Sequence, residues 1–155
     1  MTCGKLGLMK YTRFEDLPVW IDATTLAVRI FLVTNEKCFQ GRGDLKNQLE
    51  RATTSIANNI AEGFERGTTQ ELLTFLYIAR GSAGEVRSML HLLDRLPWFT
   101  HLKSEISDLK FQSEIISRQL RGWADSLQNS DIKGARYLTD ASRTCLLYTS
   151  PSPRD

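Results

Sequence analysis

Apolar residues recur along this chain at alternating spacings of three and four. The last run is the most regular, with Leu102, Ile106, Leu109, Ser113, Ile116, Leu120, Trp123 and Leu127 spaced 4, 3, 4, 3, 4, 3, 4. This is a heptad seam with one polar step at Ser113, the pattern of helices packed about 20° from antiparallel. Two earlier runs share the periodicity: Leu49, Ala52, Ile56, Ile60 and Gly63, then Leu72, Leu76, Ala79, Ala83, Val86, Leu90 and Leu93. Each reads as a helix with one buried face. A first helix opens at Leu17 and Pro18, where proline is tolerated, and its stripe is Trp20, Ala23, Ala27, Ile30 and Thr34. Leu26, Val28, Phe31 and Val33 add apolar surface beyond that stripe, so this helix needs more than one partner.

The residues between the runs supply stops and starts. Gly63 suits a left-handed helix C-terminus, and Thr68 with Glu71 three positions on forms a capping box that reopens a helix. Residues 35–44, NEKCFQGRGD, read as a loop ending at Asp44 as the cap of the second helix. Pro97 and the N-cap candidate Thr100 mark the start of the fourth. The expected helices are 17–35, 44–63, 68–96 and 100–128, within one domain over 9–140. Short turns make successive helices antiparallel neighbours, so the fold class is all-α: an antiparallel up-down-up-down four-helix bundle.

Composition narrows the picture further. With 155 residues the chain fits one domain with a sizeable core. No apolar run reaches the roughly 18 residues needed to span a bilayer, and MTCGKLGL at the N-terminus lacks a signal-peptide core, so the expected location is cytoplasmic, without membrane. Cys3, Cys38 and Cys145 form no CxxC pair and leave an odd thiol, which argues against a disulfide framework and a zinc site. Met9 begins a natural start, which would make residues 1–8 a leader outside the fold. Residues 145–155, CLLYTSPSPRD, resemble read-through of a sequencing adapter and are likewise expected to lie outside the fold.

Chemistry is sparse. Di-iron bundles need Glu-x-x-His on two helices, whereas the two histidines, His91 and His101, follow Ser88 and Trp98 at that spacing. No metal or other cofactor is expected. Net charge is +2; setting aside Lys5, Arg154 and Asp155 leaves 18 basic against 17 acidic residues over 9–144. Phosphate binding would therefore need clustering. Arg80 and Arg87 lie seven apart on the third helix, and Lys110, Arg118 and Arg121 lie near one stripe of the fourth, interrupted by Glu114. They read either as a solvated face of charge pairs or as an RNA patch, and no aromatic residues are interleaved for base stacking.

A second polar group, Arg51, Asn59 and Glu62, sits beside the core face of the second helix. Its bland reading is structural, a hydrogen-bonded group fixing register. Its sharper reading is a pocket in which these three converge with Glu85. The small residues Ala79, Gly81, Ser82, Ala83 and Gly84 cost a helix stability and point to tight helix or subunit packing.

FEDLPVW (14–20), RATTSIANNIAEG (51–63) and FLYIARGSAGE (75–85) together resemble the four-helix-bundle protein family encoded in intervening sequences of bacterial large-subunit ribosomal RNA genes. The likeness runs collinearly over about residues 9–140. It implies a bundle assembled into a ring, a homopentamer, with a link to ribosomal RNA and no catalytic residue. The implied fold is also similar to the accessory proteins of diversity-generating retroelements, which engage a reverse transcriptase and nucleic acid. The expected function is a non-enzymatic homo-oligomer binding RNA or a ribonucleoprotein. A scaffold without nucleic acid and an enzyme built on Asn59, Glu62 and Glu85 are the alternatives.

Overall fold

The structure, a computed structural model, describes residues 11–130; the expected leader 1–8 and tail 145–155 lie outside them. Four helices dominate: α1 (Pro18–Thr34), α2 (Gly43–Glu65), α3 (Thr69–Arg95) and α4 (Lys103–Gln128). Short 3-10 turns precede α1, lie between α1 and α2, and lead into α4. No strand occurs among the described residues. Helix α3 packs against α2 and α4, and α1 closes the square against the same two, so α1 and α3 stand diagonally across the core. Pairings of Arg29 with Glu105 and Asp22 with Gln119 run antiparallel between α1 and α4, and Asp94 with Lys110 and Tyr77 with Gln128 do so between α3 and α4.

The core is built from the heptad positions. Ile106, Leu109, Ile116, Leu120 and Leu127 of α4 are buried with Ser113, whose hydroxyl donates to the Leu109 carbonyl at 2.8 Å and so satisfies the one polar step. Trp123 is only half-buried, and Ala124 takes the core position beside it. In α1 the buried stripe is Val19, Ala23, Leu26, Ile30 and Val33 with Thr34, rather than one through Trp20 and Ala27. The shift follows from wedging α1 between two helices, which centres its inner face one residue away from Trp20. Trp20 instead meets Phe14 edge-on, with ring centroids 5.3 Å apart.

Three helix ends differ from their sequence signals. Gly63 is inside α2, which runs on to Glu65 and ends at an extended Arg66. The glycine serves packing there: a Cβ would lie 2.7 Å from the Phe75 Cβ and 3.2 Å from Leu72 Cδ1. Asp44 is in the first turn of α2 while Arg42 holds the cap position without a side-chain bond. Thr100 lies in the 3-10 turn Pro97–Leu102 and donates to the Pro97 carbonyl, so α4 starts at Lys103. Thr68, by contrast, caps α3, accepting from the Glu71 amide at 3.2 Å and donating to the Glu71 carboxylate at 2.8 Å.

One end of the bundle is closed by the turns. Phe39 and Phe99, both buried, pack with centroids 4.8 Å apart, and the Arg42 guanidinium lies 3.9 Å over the Trp98 ring. Gly41, at φ 77°, makes the left-handed turn before α2. Cys38 is partly buried in this cap, and burial pushes its thiol pKa up, away from reactive thiolate. In the small-residue segment of α3, Ala79 and Ala83 are core, but a Cβ on Gly81 or Gly84 would meet nothing within 4 Å. Those two glycines therefore serve no close helix contact among the described residues.

Candidate functional site

Tyr77, Arg80, Gly84, Arg87, His91 and Asp94 recur at spacings of 3, 4, 3, 4, 3 and form one stripe of α3. Its two ends are tied to α4. Gln128 donates to the Tyr77 hydroxyl, and Lys110 Nζ lies 3.0 Å from Asp94 Oδ2. Between these ties the antiparallel register sets Arg80 level with Asp125 and Arg87 level with Arg118, so the stripe borders the outer α3/α4 groove. Arg80 and Arg87 therefore share this stripe, Lys110 joins it from α4, and Arg118 and Arg121 are exposed on α4.

They are not equivalent there. Lys110 is spent on Asp94, whose carboxyl pKa is held below its ordinary 3.8 chiefly by that hydrogen bond. Arg118 reaches Glu114 at 2.7 Å and Arg121 reaches Asp125 at 3.8 Å, each an i,i+4 pair on α4. Arg80 and Arg87 have no acidic partner within 4 Å among the described residues and are half-buried. A phosphate would meet these two guanidiniums without first displacing a carboxylate.

The second polar group lies on another face. Arg51, Asn59 and Glu62 line an open groove over the outward side of α2, together with Asn47, Thr54 and Asn58. Glu50 and Ser55 also line it, and Phe31 is its one lining residue from α1. Asn59 Nδ2 donates to the Ser55 carbonyl at 2.7 Å and to its hydroxyl at 2.9 Å, and that hydroxyl shares a hydrogen bond with Ser82 of α3 at 2.9 Å. Asn59 is thus part of an α2–α3 tie. Glu62 pairs with Arg66 at 3.1 Å, and Arg66 also lies 3.7 Å from Glu71 and 5.3 Å from the Phe75 ring.

Glu85 does not line the groove; it is exposed on α3. The four-residue pocket is therefore not assembled, because Glu85 is on the outward side of α3 while Ser82 occupies the face turned toward α2. Phe31 is the lining residue that polar motifs could not reveal. Its only signal was an apolar side chain outside the α1 stripe. Among the described residues no group of three or more His, Cys, Asp or Glu is placed to hold a metal ion. None of the described helices is long and apolar enough to cross a membrane.

Known proteins share this arrangement. A crystal structure of a protein of unknown function from the S23 ribosomal protein family of Bacteroides thetaiotaomicron superposes with a TM-score of 0.61 at 25% identity, covering 68% of this chain and 97% of the other. No curated protein matches the chain. Residues 15–122 match the profile of the 23S rRNA-intervening sequence protein family, a span that takes in all of α1, α2 and α3 and most of α4, and the chain belongs to that family.

Proposed function

We propose that this chain is a non-enzymatic, homo-oligomeric RNA-binding protein of the cytoplasm, acting on RNA or a ribonucleoprotein linked to the ribosomal RNA for which its family is named. The observation that carries the reading is the pair of guanidiniums Arg80 and Arg87 on one stripe of α3, which have no acidic partner within 4 Å among the described residues. One protomer contributes little net charge, so repetition by symmetry would supply the field that a single copy lacks.

Exposed apolar side chains support assembly. Ile21, Val28 and Leu32 are uncovered on α1, and Ile78 and Leu92 on α3. The two helices are diagonal, so their outer faces point in opposite directions. Burying one against the other in successive copies is a head-to-tail contact, and such contacts either close into rings or run on as filaments. A closed ring of five is our preferred assembly.

Titration of labelled ribosomal RNA fragments with the purified oligomer tests the function. Binding is expected to weaken on charge reversal at Arg80 and Arg87, with helicity and oligomer mass unchanged. Wild-type protein that binds no RNA at about 50 mM salt, where phosphate contacts are strongest, would reject the reading.

A further inference from the structure

The groove over α2 has no part in the α3/α4 face, yet its chemistry is selective. We infer that it binds a single nucleotide unit, with the base against the Phe31 ring and the phosphate on the Arg51 guanidinium. The Thr34 hydroxyl donates to the Glu50 carboxylate and pins the end of α1 to α2. Phe31, one turn back from Thr34, is thereby held at the groove wall, 47% exposed. An exposed aromatic ring beside a polar groove offers a π-face to a flat partner.

Each lining carboxylate has a cation within 4 Å, whereas the one lining guanidinium has no carboxylate among the described residues. Glu50 is occupied by Thr34 and lies 3.8 Å from Lys46, and Glu62 is paired with Arg66. Arg51 is exposed and has no acidic partner within 4 Å among the described residues, so it is the one unbalanced charge of the lining. Asn47 and Asn58 line the same groove and make no side-chain hydrogen bond within the described residues. Each free amide presents a donor beside an acceptor, the complement of a base edge. Arg51 and Asn58 are two helical turns apart, about 11 Å along the axis, a separation that the phosphate and far base edge of one nucleotide span.

The chemistry is shared by a free mononucleotide and by one unit of an RNA strand, and the test separates them. Uridine 5′-monophosphate and a decauridine strand are titrated separately against the full-length protein, by calorimetry and anisotropy, and a 5-iodouridine strand is photo-crosslinked and mapped. The expected crosslink is on Phe31. Phe31→Leu, which keeps the wall apolar, should weaken binding by about 5- to 100-fold, the usual effect of losing one base stack, and Arg51→Gln should weaken it and flatten its salt dependence, the mark of a lost phosphate contact. Phe31→Tyr should preserve binding. Binding of the monophosphate identifies a free nucleotide as sufficient; binding of the decamer alone identifies a strand. Neither probe binding, or both binding unchanged to the Leu and Gln variants, overturns the site. Binding abolished only by reversal of Arg80 and Arg87 also overturns it, while leaving the RNA-binding reading intact.

Discussion

Gly63 of α2 and Phe75 of α3 meet backbone to side chain: a Cβ on the glycine would lie 2.7 Å from the Cβ of the phenylalanine. Real Cβ atoms do not approach so closely, and neither partner is the free end of a flexible chain. Gly63→Ala should therefore destabilise the bundle by about 1–3 kcal/mol through overpacking, despite the better helix propensity of alanine. Urea denaturation of the two proteins side by side measures the difference, and a stabilised variant would contradict the contact.

Gly81 and Gly84 are the opposite case. Open space surrounds the Cβ position at both, and each is inside α3. Alanine at either should raise stability by about 0.5–1 kcal/mol from helix propensity alone. Scanning calorimetry reads the gain. A fall in oligomer mass in the same variants would show that a neighbouring copy packs onto these glycines.

The outer face of α1 is free of unsatisfied charge. Arg29 is tied to Glu105 at 2.9 Å and Asp108 at 2.6 Å, and Asp22 accepts from Gln119. Burial works against the Arg29 charge, but the hydrogen bonds from Asp108 and Glu105 outweigh it and leave its pKa raised. What remains outward includes Ile21, Val28 and Leu32, exposed by 46%, 55% and 68%. Val28→Asp with Leu32→Asp should reduce the assembly to monomers while circular dichroism stays helical. Light scattering of wild type and variant decides it.

The basic face should respond unequally. Charge reversal at Arg80 and Arg87 should lower the salt dependence of RNA binding by about 0.7 log units per log unit of salt for each lost single-strand phosphate contact. Reversal at Arg118 and Arg121 should do less, since both are already paired along α4 with Glu114 and Asp125. Equal slopes for the two double variants would contradict this ordering.

Asp94 links pH to the α3–α4 contact. Its folded pKa is depressed chiefly by the Lys110 hydrogen bond, so its stabilising effect is complete above the ordinary value of 3.8 and is lost as pH falls through the lower folded value. Asp94→Asn should melt below wild type at pH 7, and the gap should close toward pH 2. A gap that persists in acid would assign the effect to packing.

Heptad spacing made the helices legible because burial repeats along a seam and a single error does not disturb it. Thr68 and Glu71 were readable because a capping box is a local bond pattern. Gly63 was not, since close approach to Phe75 and a left-handed turn leave the same letter in the sequence. Thr100 misled for a related reason: a hydroxyl can donate within a 3-10 turn as readily as it can cap. Arg51, Asn59 and Glu62 share a groove because they share one helix, whereas Glu85 depends on how α3 is rotated against α2. That rotation is set by long-range packing, as is the placing of Phe31 beside α2.

The ties from α1 to α4 join residues 76 and 97 positions apart, whereas Ser55–Ser82 and Lys110–Asp94 bridge 27 and 16. Loop closure favours the nearer pairs first, so the α2–α3 and α3–α4 hairpins form from local encounters and α1 gains its second partner only once α4 exists. Of the four described helices, the one synthesised first is then the last to be fully covered. Until that moment the part of its inner stripe that α4 covers and its charge-free outer stripe both face solvent, which makes α1 the segment through which nascent chains would associate too early.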